Sequence, residues 1–481
     1  MLQCPRRFWL EVFRPELKHD SDLTEMKFRT GNQVGDLARH LFDPKGSGHL
    51  IDIKKEGYEQ AFFRSEQLLR GNEPIFEAGL IGGGVFAFAD VMLPGKRNAS
   101  WNMIEVKSST SVKDYHRDDI AIQTYAARSA GVEIESVSLA HIDSSWIYPG
   151  SKDYEGLLQV NDLTQDALSR HDEVAEWVKQ AQSIARSNTE PTQCMGPQCN
   201  APFECGFIAH CSEGAEIAEF PVKWLPHIST KKITELEAVG IKDLREVPDS
   251  KLTELQQRVK QVSTTGQPYF DAKGAAKDLS HHPCPCLFLD FESVQFGVPI
   301  WTGTRPYQQI CFQFSLHRLN AEGSLTHTEF LDLSGNDPSE AFSMALIQAC
   351  GTGTEAVFVF NAAFEKTRIA ELAGKFPALK TELLDINTRI VDLMPITKNR
   401  YYHPSQEGSW SIKKVLPALV PELKYSDLDG VQDGNMAIAA YLEAIAPETT
   451  IVRKQAIEQE LRKYCELDTY SMVRIWQAFA Q

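Results

Sequence analysis

Gly79-Leu-Ile-Gly-Gly-Gly-Val-Phe-Ala-Phe-Ala-Asp90, followed by Trp101-Asn-Met-Ile-Glu105-Val106-Lys107, decides how the first part of this chain is read. A glycine triplet between two apolar runs predicts a hairpin, and the second stretch adds a neighbouring strand. Adjacent strands ending in Asp90 and in Glu105-x-Lys107 set two carboxylates side by side, where they can hold one divalent metal. The lysine beside them can polarise an attacking water or the phosphate it attacks. Metal-assisted hydrolysis of a phosphodiester needs those parts.

Outward from that stretch, residues 1–215 read as one α/β unit. Helices are expected over 4–13 and 22–42, the second carrying Gly35-x4-His40. Strands follow around 75–93 and 100–107, then a helix over 118–128 with Gln123 and Tyr125, a strand over 136–142 and a long helix over 164–187. Residues 216–283 are more polar and read as a helical linker. Within it, 233–248 fits either a helix–hairpin–helix element, which grips a phosphate backbone through its turn amides, or a plain αα-hairpin. Residues 284–481 read as a second α/β unit. Its core strand is Cys286-Leu-Phe-Leu-Asp290-Phe-Glu292, with strands near 308–317 and 356–361 and helices near 364–374 and 454–479. The fold class is therefore α/β throughout, in two large units. No GxxxxGK[ST] phosphate loop occurs, so no ATPase engine is expected.

The chain has 481 residues, 42% of them hydrophobic and 24% charged, as in an ordinary globular protein of two or three domains. A run long enough to cross a membrane is missing, as are the features of a signal peptide, so a cytoplasmic protein without membrane association is expected. The net charge of −16 argues against a surface coated in basic residues for nonspecific duplex binding. It leaves room for a local basic groove beside metal-binding carboxylates.

Ten cysteines in such a chain point to metal rather than disulfides. Cys194, Cys199, Cys205 and Cys211 cluster in a loop-like stretch, with Cys4 far upstream. Four thiolates suit a [4Fe–4S] cluster or a structural zinc. With five candidates for four places, Cys4, Cys199, Cys205 and Cys211 are favoured and Cys194 is the spare. Cys284, Cys286, Cys311, Cys350 and Cys465 sit in or near apolar runs and read as core thiols. Tyr401, Tyr402 and Trp410 can stack bases but read as packing residues, and His281-His282 as a loop feature.

These residues carry two resemblances. Residues 1–215 resemble the RecB-like PD-(D/E)xK nucleases, in particular the CRISPR-associated and AddB-type members with an iron–sulfur cluster. Gly35-x4-His40, Asp90, Glu105-x-Lys107, the Gln123 helix and the split cysteine layout match that pattern. The resemblance implies that His40, Asp90, Glu105 and the carbonyl of Val106 ligate Mg²⁺ or Mn²⁺, with Glu77 a lesser candidate. It implies that Lys107 assists the water, that Gln123 positions Lys107 or DNA, and that the cluster is structural. Tyr125 departs from the pattern, because its spacing from Gln123 is shorter than the usual Gln-x3-Tyr.

Residues 286–481 resemble the DEDD 3′→5′ exonucleases of the RNase H-like superfamily. Asp290-x-Glu292, Asn361-x2-Phe-Glu365 and Tyr464-x3-Asp468 match their three motifs. Four carboxylates then hold two metals, one for the attacking water and one for the leaving oxygen. Tyr464 lies one helical turn before Asp468 and is placed to orient that water. Glu365 stands where aspartate is usual, and Asp392 is the alternative fourth ligand. Gly408-Ser-Trp-Ser-Ile-Lys413 looks like the segment before the late helices of RNase D-like proteins. The order of both halves looks like a bacterial family that fuses the two domains.

The expectation is a Mg²⁺- or Mn²⁺-dependent nuclease cutting single-stranded or frayed DNA, with a second site that trims DNA or RNA from a 3′ end. DNA repair, mobile-element processing and antiviral defence are the settings it implies, with protein partners or self-association. The alternative is a nucleic-acid-binding scaffold in which one or both sites are inactive.

Overall fold

The computed structural model describes residues 1–97, 99–213 and 218–481. The side chains of Asp22 and Leu23, and the boundary expected at 215/216, lie outside the described residues. Contacts divide the chain into two compact units, residues 1–215 with 295–308 and residues 216–294 with 309–481.

The first unit is built on a six-stranded mixed sheet. Its strands lie in sequence order: β1 (His49–Leu50), β2 (Ile75–Gly82), β3 (Val85–Pro94), β4 (Ser100–Lys107), β5 (Glu133–Ile142) and β6 (Leu158–Asp162). β2, β3 and β4 are antiparallel neighbours, β4 and β5 run parallel, and β6 returns antiparallel. The predicted hairpin closes between Gly82 and Val85 through Gly83 and Gly84, whose φ values of 61° and 80° are why glycine is needed at both. Alternate residues of β2 and β3, among them Ala78, Leu80 and Ala89, face the Asp114–Ser129 helix and pack with its Ile120, Ala126 and Ala127. The helix expected over 164–187 is broken into Thr164–Ser169 and His171–Ala185. At the break Arg170 leaves helical geometry and its guanidinium bonds Asp118 and Glu173.

The second unit has a five-stranded sheet in the order β10-β9-β8-β11-β12. These are β8 (Cys286–Val294), β9 (Ile310–Leu319), β10 (Leu325–Leu331), β11 (Val357–Val359) and β12 (Ile390–Asp392). β10, β9 and β8 are antiparallel, whereas β8, β11 and β12 are parallel. The period-two alternation of β8 sorts its side chains. Leu287, Leu289 and Phe291 pack with Phe342, Ile369 and Leu383. Cys286 and Phe288 pack with Val259, Tyr402, Met472 and Ile475. Phe288 stacks on Phe358 at 5.5 Å, and removing so buried a ring costs about 3–5 kcal/mol. Asp290 and Glu292 continue the parity of Phe288, toward the Ile451–Phe479 helix, whose Cys465 thiol meets the Asp290 carbonyl.

The segment expected to be a linker is part of this second core. Leu225, Leu244, Val259, Val262 and Leu279 belong to the same buried cluster as Phe288. A short strand, β7 (Tyr269–Phe270), pairs antiparallel with β13 (Tyr401–Tyr402). Its apolar residues are spaced too widely along a polar sequence to announce a core. The helix–hairpin–helix expectation also changes. The Thr230–Ala238 helix is followed by single 3₁₀ turns at Leu244–Glu246 and Asp249–Lys251, and the next α-helix is Glu254–Thr265. Pro248 begins the second of those turns and has no amide to donate to a continuing helix. Tyr401, Tyr402 and Trp410 are buried, with the Trp410 indole donating to the Tyr401 carbonyl, so they are packing residues.

Candidate active site and metal centre

In the first unit Asp90 and Glu105 meet across neighbouring strands, although Asp90 stands inside β3, which runs on to Pro94, and does not end it. The Val106 amide donates to Asp90 Oδ2 at 2.7 Å, so Val106 contributes its N–H. Glu105 is buried, and both its oxygens are engaged. Oε1 accepts from Lys107 Nζ at 2.6 Å, and Oε2 accepts from Gln123 Nε2 at 2.7 Å. Lys107 also donates to Asp119 Oδ2 at 2.6 Å. Asp119 was missed from sequence, although it lies one helical turn before Gln123 and shares its face.

Burial, and then the charge of Glu77, raise the Asp90 pKa to about 6. Burial and the Asp90 charge push Glu105 well above the carboxylate range. Glu77 is also raised, by burial first and Glu105 second. Burial opposes the Lys107 ammonium, but Glu105 and Asp119 outweigh it and hold the proton on. His40 is exposed, and its Nδ1 lies 2.9 Å from the Asp36 carbonyl of its own helix. Its helix bears on the carboxylates through Arg39 and Asp36, whose charges act on Glu77. Tyr125 sits elsewhere, its hydroxyl on the Gly83 carbonyl of the hairpin turn.

The cysteines converge. Cys4 caps the Pro5–Phe13 helix, its sulfur accepting the Arg7 amide at 3.5 Å. Gln3 donates to the carbonyls of Gln198 and Phe203, both at 2.7 Å, which brings the chain start to the cysteine loop. Cys4, Cys194, Cys199, Cys205 and Cys211 line one small cavity together with Arg6 and Arg7. Burial raises the Cys205 and Cys211 thiols, and each also senses Cys4 and Cys199. Cys194 is exposed. Among the described residues, no three of these sulfurs approach within 4.8 Å of one another.

In the second unit the carboxylates are closer. Asp290, Glu292 and Asp468 each offer an oxygen within 4.8 Å of the others. Two come from one face of β8 and one from the Ile451–Phe479 helix. Burial and the Asp468 charge raise Asp290 and Glu292 well above the usual range. Asp468 is raised to about 6 by burial, against the hydrogen bonds of Tyr425 and Tyr464 and the nearby charge of Lys413. Tyr425 donates to Asp468 Oδ1 at 2.6 Å. The Lys413 ammonium lies 5.3 Å from the Tyr425 ring centroid and 5.0 Å from that of Tyr464. Tyr425 gave no signal in sequence, since it stands in a short 3₁₀ turn distant from every motif.

Glu365 is 3% exposed, and its Oε2 is buried without a hydrogen-bond partner. Burial lifts its pKa to about 7, with a smaller push from Asp392. Asp392 is engaged by backbone amides at both oxygens. Its Oδ1 accepts the amides of Asn361 and Met394, and its Oδ2 accepts that of Ala362, all at 3.0 Å. It ties the turn after β11, where Asn361 has a φ of 80°, to the end of β12.

Among the described residues, no helix is long and apolar enough to cross a membrane. A family model described as a domain of unknown function, DUF2779, matches residues 287–411. That span begins on β8 just before Asp290 and includes Glu365 and Asp392. No curated protein and no solved structure matches the chain.

Proposed function

We propose that this chain is a metal-dependent nuclease, and that the Asp290, Glu292, Glu365 and Asp468 set is its best-formed hydrolytic centre. The observation that carries this reading is the convergence of three carboxylates within 4.8 Å, Glu292 and Asp468 buried and Asp290 half-buried, each repelling the others' charge, with a fourth whose buried oxygen is left without a partner. Gathering anions out of water is costly unless a cation joins them. The sheet order and strand directions of the second unit, with the carboxylates on its first strand and last helix, support an RNase H-like exonuclease fold. Glu365 is the fourth ligand in this reading, since the Asp392 oxygens are taken by backbone amides.

Asp290, Glu292, Glu365 and Asp468 would hold two divalent ions, which would supply a water activated for attack and a counter-charge for the leaving oxygen. The chain's own residues do the rest. Tyr425 fixes one Asp468 oxygen, and Tyr464 stands one helical turn before the same carboxylate, where it can orient the attacking water. Lys413, poised over both rings, is placed to draw a phosphodiester toward the carboxylates.

Asp90, Glu105 and Lys107 form a second hydrolytic centre in this reading, on a strand arrangement that suits a PD-(D/E)xK core. There Lys107 and Gln123 hold Glu105, and Asp119 holds Lys107. In this reading Cys4, Cys199, Cys205 and Cys211 would hold a [4Fe–4S] cluster, since their thiols line one small cavity with Arg6 and Arg7, whose charges suit an anionic cluster.

The test is degradation of end-labelled single-stranded DNA and RNA by the full chain with Mn²⁺ or Mg²⁺. Wild type should release nucleotides from the 3′ end, and Asp468→Asn should abolish that release. A wild-type protein inert on both substrates with either metal would sink the reading in favour of a binding scaffold.

A further inference from the structure

A second group of metal-ligating side chains lies apart from the four carboxylates. His317 of β9 and His327 of β10 are direct cross-strand partners, so they share a face of the sheet. Their rings lie 4.6 Å apart. Glu466 of the last helix completes the group, and the three residues each offer one atom within 4.8 Å of the others.

One proton arrangement satisfies every hydrogen bond of the two rings and leaves one nitrogen of each uncommitted. In that arrangement the Thr469 hydroxyl donates its hydrogen to the Glu466 carbonyl at 3.1 Å. It must therefore accept from its other two neighbours, Ser315 Oγ at 2.7 Å and His317 Nδ1 at 2.8 Å. Ser315 has then spent its hydrogen, so it accepts from His327 Nε2 at 2.9 Å. His317 thus carries its proton on Nδ1 and His327 on Nε2. The lone pairs left over are those of His317 Nε2 and His327 Nδ1, and the latter faces Glu466 Oε1 at 3.9 Å. His317 is 4% exposed, and burial beside His327 keeps it neutral at ordinary pH.

We propose that His317 Nε2, His327 Nδ1 and Glu466 form a binding site for a zinc-class divalent ion, separate from the nuclease centre. Two imidazoles and one carboxylate suit a borderline transition ion better than Mg²⁺, which takes oxygen ligands. Three protein ligands leave one position for water. Donor atoms around such an ion stand about 3.3–3.5 Å apart. The Glu466 side chain is 51% exposed and free to swing the remaining distance. Ser315 and Thr469 orient the two rings, as outer hydrogen-bond partners do for metal-bound histidines. The ion would pin the β9–β10 hairpin to the helix that carries Asp468.

The test is zinc binding by chelator-stripped, full-length protein, dialysed against micromolar zinc with millimolar Mg²⁺ present. The cysteines contribute equally in every variant and cancel from the differences. His327→Ala and Glu466→Gln should each hold one zinc fewer than wild type, while Asp290→Asn holds the wild-type number. Ser315→Ala should weaken that one zinc about tenfold. Glu466→Gln preserves size and shape, so its loss of zinc with an unchanged circular dichroism spectrum separates a lost ligand from misfolding. Wild-type zinc content in both His327→Ala and Glu466→Gln would overturn the proposal. So would loss of the same ion from Asp290→Asn, because the ion would then belong to the carboxylates.

Discussion

Glu365 concentrates the chemistry of the second unit in one side chain. It is buried, one oxygen lacks a partner, and it holds a proton to about pH 7. In the unfolded chain it releases that proton near pH 4.3. Between those values the folded state binds more protons than the unfolded one, so stability falls as pH rises through the window. Chemical denaturation of the metal-free protein should show that loss between pH 5 and pH 8. Glu365→Gln should relieve it by on the order of 3 kcal/mol at pH 8, the size of the shift in free energy. Mn²⁺ should stabilise wild type at pH 8 more than at pH 5. A Glu365→Gln protein less stable than wild type at pH 8 would contradict this account. Tyr425→Phe removes a 2.6 Å hydrogen bond to Asp468 and little volume. It should lower 3′-end release by roughly tenfold, in line with about 1–3 kcal/mol for a buried, charge-assisted bond, while the thermal transition stays cooperative.

At the scale of elements, turns and helix faces do the positioning. Asp392 closes the turn that launches the Ala363–Lys375 helix and therefore aims Glu365. Asp392→Ala should cost about 2–4 kcal/mol by urea denaturation, because three amides lose their acceptor. It should also reduce nuclease activity although Asp392 is placed on no metal. The sequence disclosed what depends on short spacing. Asp290-x-Glu292 on a strand and Tyr464-x3-Asp468 on a helix share a face by backbone geometry alone, and the glycine pair at 83–84 marks its own turn. It did not disclose roles that depend on where an element arrives in space. Asp392 read as a spare ligand because its three amide donors come from the turn after β11 and from its own helix start. Asp119 was overlooked because its partner Lys107 lies on another element. His40 matched a motif by spacing, yet its ring turns back to its own helix. Nothing local at Arg170 signalled a break, since the ion pairs that accompany it join Asp118 to Glu173 across two helices.

At the scale of the whole molecule the chain carries two candidate hydrolytic centres in separate units, and they are expected to leave different products. Asp468→Asn should remove release of nucleotides from labelled 3′ ends, and Lys107→Ala should remove internal or 5′-proximal cuts. Resolving the products of both variants on one sequencing gel checks this, and a single variant that removes both kinds of cut would show only one centre at work. Protein isolated without oxygen should be brown with broad visible absorption, and a colourless preparation holding one zinc per cysteine set would remove the cluster.

The stretch 295–308 sets an order of manufacture. It belongs to the first unit, where Tyr307 donates to the Ser108 carbonyl next to Lys107, Tyr154 to that of Pro299, and the Tyr148 amide to that of Thr304. On the ribosome this piece is made only after β8, some ~90 residues past the point where the rest of that unit is finished. At about 5–20 residues per second the first unit waits roughly 5–20 s for its last segment. Through that interval its lysine-bearing strand end lacks the Tyr307 hydroxyl, and by the time it is completed the Asp290–Glu292 strand of the other unit has already been synthesised.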